Sequence, residues 1–251
     1  MLLALLGAVV GGLVAGSLLN AVAVRVAAGG SVVASGSRCP RCKHPLRARD
    51  NVPLLSWLLL RGRCRDCHAP ISRRYPLVEA GTALLFVAIV VAHRADAARL
   101  ALGLVLVAFL VPLALIDLDT RLLPNRITLP AAIAAIALGT ILDPSGEAER
   151  LIAGVAGGGF FLIAALAYPR GMGIGDVKLA GVLGLFLGRE VAAALFVGLL
   201  AGVVAGVVVI ARTGAREGRK TKVPFGPFLA LGGVVAVLAG EALVDAYVGT
   251  F

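Results

Sequence analysis

The hydropathy pattern of this chain shows neither the period-two alternation of a half-buried strand nor the one-sided stripe of a surface helix. Long continuous apolar runs are separated by short charged clusters. Eight such runs stand out, at approximately 2–24, 77–93, 98–116, 127–142, 151–168, 177–188, 191–211 and 226–248. Most approach the ~20 residues that an α-helix needs to cross the hydrocarbon core of a bilayer. The fourth and sixth are short, which predicts helices that tilt or that begin inside a polar cavity. A transmembrane barrel would require alternating strands, and the runs are continuous. The first run has no basic region ahead of it and reads as a retained span. The expected fold is therefore an all-α polytopic membrane protein of about eight transmembrane helices: a first span within 1–28, a polar segment over 29–76, and seven helices over 77–251.

Composition agrees with this reading. Of the 251 residues, 59% are hydrophobic and 15% charged, and the mean hydropathy is +0.97, values foreign to a soluble domain. The net charge of +10 invites a nucleic-acid role, but its distribution argues against one. Ten basic residues fall in 29–76. Placing that segment in the cytosol, and alternating the loops from there, puts 20 of the 24 basic residues inside. Only Arg94, Arg99, Arg150 and Arg189 remain outside. Membrane proteins show this asymmetry, and it predicts eight spans with both ends outside. Within the spans, small-residue pairs such as Gly154 and Gly157 suit close helix packing.

All four cysteines lie in the polar segment, as Cys39-Pro-Arg-Cys42 and Cys64-Arg-Asp-Cys67. Two CxxC pairs separated by 21 residues resemble a zinc ribbon with a slightly wide gap. Each pair can present two thiolates from one turn, and two turns close a tetrahedral site. Bound zinc would also compensate for the small apolar core of such a segment. Disulfides are the alternative, and a reducing cytosol disfavours them. His44 and His68 follow the pairs, but four cysteines already complete the shell. The apolar stretch from Asn51 to Leu60 either packs onto the membrane surface or floors the cysteine module.

Carboxylates beside apolar spans are costly, and their presence points to function. Asp117 closes the third run, in Leu115-Ile-Asp117-Leu-Asp119, shortly before Pro124, which reads as the stop of that span. Asp176 opens the sixth, in Gly171-Met-Gly173-Ile-Gly175-Asp176-Val-Lys178. The loop alternation places both on the cytosolic face. Asp119 taken alone reads as an interfacial charge, and Asp176 taken alone as a helix cap. Gly173 and Gly175 permit a tight turn and close approach of another chain. Two neighbouring carboxylates cannot both ionise easily, so one can act as base and the other as acid. A Ser/His/Asp set and an HExxH motif are both missing from the sequence, which leaves an aspartate pair among hydrolytic mechanisms. Sequence alone does not bring the two side chains together.

These residues resemble the bacterial type IV prepilin leader peptidases, a family of GxGD-type membrane aspartic proteases. The resemblance runs through Gly16-Ser-Leu-Leu-Asn20, both CxxC pairs, Asn51-Val-Pro-Leu-Leu-Ser-Trp57 and Ile71-Ser-Arg-Arg-Tyr-Pro-Leu-Val-Glu79. It continues through Asp117 to Asn125, Gly171 to Leu179, and Pro224-Phe-Gly-Pro-Phe-Leu229. It implies an endopeptidase that removes the basic leader of prepilins or pseudopilins on the cytosolic side of the bacterial cell membrane, just after a glycine. It also implies methylation of the new N-terminus with S-adenosylmethionine. Asp117 and Asp176 match the family's catalytic pair, since the family's first aspartate stands seven residues before the Pro of Leu-Pro-Asn. Cys39, Cys42, Cys64 and Cys67 match its zinc ligands. Arg170 departs from the family, which commonly carries an acidic residue there.

Lys178 is expected either to bias one carboxylate or, as an interfacial lysine, to snorkel towards solvent. No Rossmann-type fingerprint marks a methyl-donor site. Two other classes share some of these features. A proton- or cation-coupled transporter would use intramembrane acids, and a non-catalytic assembly factor would use the zinc module for docking. Inverted-repeat symmetry between the halves would favour the transporter, and the sequence shows no convincing repeats, whereas a scaffold should tolerate loss of either aspartate.

Overall fold

The structure, a computed structural model, describes residues 1–32, 38–39, 41–168, 172–214 and 223–249. Arg170, Gly171 and the basic cluster Arg216, Arg219, Lys220 and Lys222 lie outside the described residues. Among the described residues all regular structure is helical, apart from two isolated bridge pairs, Arg38 with Pro45 and Arg63 with Pro70. The chain divides into two compact units, Met1–Arg94 and Ala95–Phe251.

In the first unit, α1 (Leu2–Ala27) lies against α3 (Arg74–His93), and the cysteine module with the short α2 (Leu55–Leu59) is threaded between them in sequence. Gly12 and Gly16 of α1 face Ala83 and Glu79 of α3. Both helices carry apolar side chains nearly all round, as a helix in lipid must. The stretch from Asn51 to Leu60 divides by face: Ser56 is buried, while Leu55, Leu58 and Leu59 are exposed.

The second unit contains α4 (Ala97–Thr120), α5 (Asn125–Leu142), α6 (Glu147–Ala167), α7 (Ile174–Leu187), α8 (Val191–Thr213) and α9 (Gly226–Val248). Its centre is built from Leu106, Leu110, Leu113 and Ile116 of α4, Phe161 of α6, Leu179 and Leu183 of α7, and Leu229 of α9. Large apolar residues such as Val155, Ile163, Phe196 and Val203 point outwards, the distribution expected where lipid replaces water. Gly154 and Gly157 pack α6 against the backbone of α7 near Gly181 and Ala180, so the small-residue pair works as a packing seam.

Seven segments are long and apolar enough to cross a membrane, one of them the 40-residue stretch Ile174–Thr213. That stretch is two helices, because Gly188 (φ +59°) and a single 3-10 turn separate α7 from α8. The eight apolar runs therefore correspond to eight apolar helices, and the protein is a multi-pass membrane protein. The shortness expected of the sixth is real. With 14 residues α7 reaches only about 21 Å at 1.5 Å per residue, against a bilayer core of about 30 Å.

Candidate active site

The carboxylate of Asp117 is placed by the way α4 ends. The helix runs to Thr120, whose hydroxyl donates back to the Ile116 carbonyl at 2.9 Å. Arg121 then adopts a left-handed conformation (φ 57°, ψ 35°), and its N–H donates to the Asp117 carbonyl at 2.8 Å. Pro124 was expected to stop this span. Instead the left-handed Arg121 ends it, and Pro124, in extended conformation, opens α5. Asp117 thus sits in the last turn, facing inwards with only 5% exposure, while Asp119, two residues on, is exposed.

The inward face of Asp117 meets the start of α9. Oδ2 of Asp117 accepts a hydrogen bond from the backbone N–H of Gly226 at 2.8 Å. Gly226 is the first residue of α9, where backbone N–H groups have no partner within the helix and favour an anionic one. A Cβ at position 226 would stand 2.8 Å from that same oxygen and 3.1 Å from the carboxyl carbon, so only glycine allows this approach. Sequence reasoning did not single out Gly226 as a site residue. The available signal was a glycine between two prolines in Pro224-Phe-Gly-Pro227.

Asp176 is held at the start of α7. Gly173 precedes the helix, the Asp176 N–H donates to its carbonyl at 3.0 Å, and the Gly173 N–H donates back to Oδ2 of Asp176 at 3.3 Å. Asp176 therefore supplies only the carboxylate half of a capping box, bonding the N–H of the N-cap Gly173, rather than being the cap itself. A Cβ on Gly175 would lie 2.9 Å from the Cβ of Leu123, so this glycine lets the start of α7 press against the loop between α4 and α5. That contact sets Asp176, the next residue, beside the loop that leaves Asp117. Asp176 is half-buried. Lys178 is exposed, and its ammonium donates to Oδ1 of Asn125, the first residue of α5, at 2.8 Å, tying the starts of α5 and α7 together. A buried carboxylate at the end of α4 and a half-buried one at the start of α7, held by backbone N–H groups at the starts of α9 and α7, form an arrangement suited to acid–base chemistry.

In the first unit the cysteines form a second constellation. The four sulfurs lie within 4.8 Å of one another as free thiols, and Sγ of Cys39 is 3.7 Å from Sγ of Cys67. Tetrahedral thiolate coordination with metal–sulfur bonds of about 2.3 Å implies sulfur separations of about 3.8 Å. The two halves repeat each other. The Cys39 N–H donates to the His44 carbonyl and the Lys43 N–H to the Cys39 carbonyl. In the same pattern, the Cys64 N–H donates to the Ala69 carbonyl and the His68 N–H to the Cys64 carbonyl. Lys43 and His68 are both left-handed, with φ of 60° and 53°. The backbone N–H groups of Cys42 and Arg41 pull the Cys39 thiol down to about 6. Cys42 is drawn down by the His44 N–H, yet desolvation and the neighbouring Cys39, Cys67 and Cys64 thiols push it up on balance. Four thiolates this close repel one another, and a cation among them removes the conflict. The residues fit a bound metal ion.

Fold and site define a helical membrane protein with two carboxylates held at the ends of its spans and a four-cysteine cluster that can hold a metal ion. The description "Bacterial Peptidase A24 N-terminal domain" matches residues 10–93, and "Type IV leader peptidase family" matches residues 104–210. The chain belongs to the type IV leader peptidase family. It is 40% identical over 221 residues to a protein of Aeromonas hydrophila named prepilin leader peptidase/N-methyltransferase, covering 86% of this chain and 75% of that one. A protein of the same name from Myxococcus xanthus (strain DK1622) is 42% identical over 219 residues, covering 84% and 64%. Another, from Stutzerimonas stutzeri, is 36% identical over 220 residues, covering 84% and 74%. No solved structure matches the chain.

Proposed function

We propose that this protein is a membrane aspartic endopeptidase that removes the leader of type IV prepilins or pseudopilins and then N-methylates the new N-terminus. The observation that supports the peptidase half is the approach of Gly175 to Leu123, which sets Asp176 beside the loop leaving Asp117. The α9 N-terminus reaches one, the Gly173 turn holds the other, and Gly175 allows the loop between them to close up. In this reading one carboxylate takes a proton from water as the water attacks the scissile carbonyl. The other donates its proton to the carbonyl oxygen and recovers it as the tetrahedral intermediate collapses, while the proton taken from water passes to the leaving amine. Gly173 holds Asp176 through its N–H, Gly175 seats the start of α7 against Leu123, Lys178 keeps the starts of α5 and α7 in register through Asn125, and Asp119 is exposed.

The substrate in this reading is an apolar helix lying beside the spans in the bilayer, with a basic leader at the cytosolic face. The positive-inside distribution supports placing the aspartates and the cysteine module on that face. The functional division is a first span over 1–28, a module over 29–76 and a peptidase region from 77 to 251, with α3 packing on α1 as part of the first unit. We take the ion held by Cys39, Cys42, Cys64 and Cys67 to be a structural zinc, since four thiolates with this spacing suit that metal and leave no open position. When bound, S-adenosylmethionine supplies an activated methyl group.

The test is mass spectrometry of a prepilin-like substrate incubated with the purified protein, with and without S-adenosylmethionine. Cleavage in both conditions, with a gain of one methyl group only when the donor is present, is expected. An intact substrate would overturn the reading.

A further inference from the structure

The short helix α2 carries apolar side chains on its outer face. Leu55, Leu58 and Leu59 are one turn apart and stand 53%, 63% and 73% exposed, while Ser56 between them is buried. Val52, just ahead of the helix, is exposed as well. Clustered apolar side chains of this kind mark a surface that another apolar body covers.

The opposite side of α2 is fixed. The indole N–H of Trp57 donates to the Ile71 carbonyl at 3.2 Å, and its ring lies over Gly62, where a Cβ would stand 2.8 Å from it. The Ile71 N–H donates in turn to the Gly62 carbonyl at 2.7 Å. Leu54, the residue before α2, donates its N–H to Oε2 of Glu79 on α3 at 2.7 Å. These bonds hold Ser56 and Trp57 inwards, so the three leucines stay outwards.

The same bonds set the depth of α2. From Arg74, the first residue of α3, to Glu79 is about 8 Å along the helix axis. The 20 residues of α3 reach about 30 Å, the thickness of a bilayer core, so Glu79 lies inside the span. The neighbouring helix gives the same level. Gly16 of α1 packs on the Cα of Glu79, and α1 runs on for about 14 Å from there to Arg25. Near this level Leu18 of α1 and Leu77 of α3 are exposed, as lipid-facing residues are. A helix that lies in the membrane interface buries its apolar face about 5–10 Å into the boundary between headgroups and acyl chains, the depth at which Glu79 holds α2. Arg61 and Arg63 follow α2 directly and are exposed, on stems long enough to reach lipid phosphates.

We propose that α2 anchors the cysteine module in the bilayer. Leu55, Leu58 and Leu59 insert among the acyl chains of the adjoining leaflet, and Arg61 and Arg63 hold the phosphates of its anionic lipids. The module then lies in the interface instead of standing free in solvent.

The test uses the whole chain with a benzophenone amino acid in place of Leu58, reconstituted in vesicles of equal parts phosphatidylglycerol and phosphatidylcholine. After irradiation, the peptide containing position 58 should carry a phospholipid, with phosphatidylglycerol in excess. Leu55→Gln combined with Leu59→Gln should lose most of that adduct while helix content is unchanged. Arg61→Gln combined with Arg63→Gln should keep the adduct and lose the excess of phosphatidylglycerol. The unsubstituted protein gives a second reading that no folding defect can obscure, because Trp57 is the single tryptophan of the chain. Phospholipids brominated near the headgroup end of the acyl chain should quench its emission more than those brominated near the acyl terminus. A label joined to a peptide of α4 to α9, to added prepilin or to a second copy of the chain would overturn the proposal. Trp57 emission that brominated lipid leaves unquenched, or quenches best from the acyl terminus, would overturn it too. A lipid adduct in the bulk lipid ratio would remove the arginines from it.

Discussion

The cysteine module and the aspartate-bearing helices both order polar groups beside apolar spans, and they do so by different means. The module is held by local turns. Two copies of one hydrogen-bonded loop, each with a left-handed residue four positions after its first cysteine, present four sulfurs to a single point. A metal ion at that point would add its binding free energy to the folding of the module. The aspartate site is held by helices distant in sequence, closed at glycines, and its stability depends on packing between spans. Damage should therefore stay local in each. A lesson at the metal should not read out at the aspartates in the way a lesson in packing does.

The largest expected effect comes from the aspartates. Asp117→Asn and Asp176→Asn should each lower prepilin cleavage by about 10²–10⁴-fold, the range for removing a general acid or base. Metal content and helix content should be unchanged, as read by elemental analysis and circular dichroism. Normal processing by either variant would remove that residue from the chemistry, and a scaffold or assembly role would then be the better account.

Next comes the metal. Purified protein should carry one zinc per chain, and Cys64→Ser should lose it. Limited proteolysis should then cut within 38–74 while α4 to α9 stay protected. Cleavage spreading equally into the second unit would show that the two are not separable in this way. Protein lacking metal with its thiols intact would contradict the module itself.

How much of this was legible in the sequence follows from the same contrast. The cysteines come as two CxxC pairs separated by 21 residues, a spacing that is visible in the sequence, and the four sulfurs do meet. The spans are equally legible, because a run of apolar residues needs no partner to declare itself. The capping role of Asp176 rests on Gly173, three residues away, and the glycine pattern hinted at it. The partner of Asp117, in contrast, is a backbone N–H 109 residues along the chain, and a backbone group leaves no side-chain signature. The contact of Gly175 with Leu123 is hidden for the same reason. Pro124 misled slightly, since a proline that starts one helix looks like one that ends another, and the conformation of Arg121 decides between them.

Gly226→Ala tests the hidden contact. The added methyl group would stand against the Asp117 carboxylate and displace it, and a misplacement of about 1 Å at a reacting group can cost about 100-fold in rate. Cleavage should fall by that order while zinc content and donor binding stay as in the wild type. An unaffected rate would mean that the bond from the α9 N-terminus to Asp117 does not matter for positioning.

The smallest effect is expected in the turn between α5 and α6, inside the second unit but away from its chemistry. Asp143 accepts from the Arg150 guanidinium at 2.7 Å and from the Ser145 hydroxyl at 2.7 Å. Arg150 also donates to the Asp143 carbonyl at 2.5 Å and to Glu147 at 3.0 Å, and is itself buried. The Arg150 guanidinium, followed by the Ser145 hydroxyl, lowers the Asp143 carboxyl to about 2. A carboxyl lowered on folding stabilises the fold fully above its unfolded value of about 3.9, and that stability is lost as pH falls through the folded value. The Asp143 side chain is 36% exposed, so screening keeps the contribution small. Asp143→Asn should lower the Tm slightly at pH 7, and the gap from the wild type should close between about pH 4 and pH 2. A gap that stays constant across that window would assign the stability of this turn to its backbone bonds rather than to the ion pair.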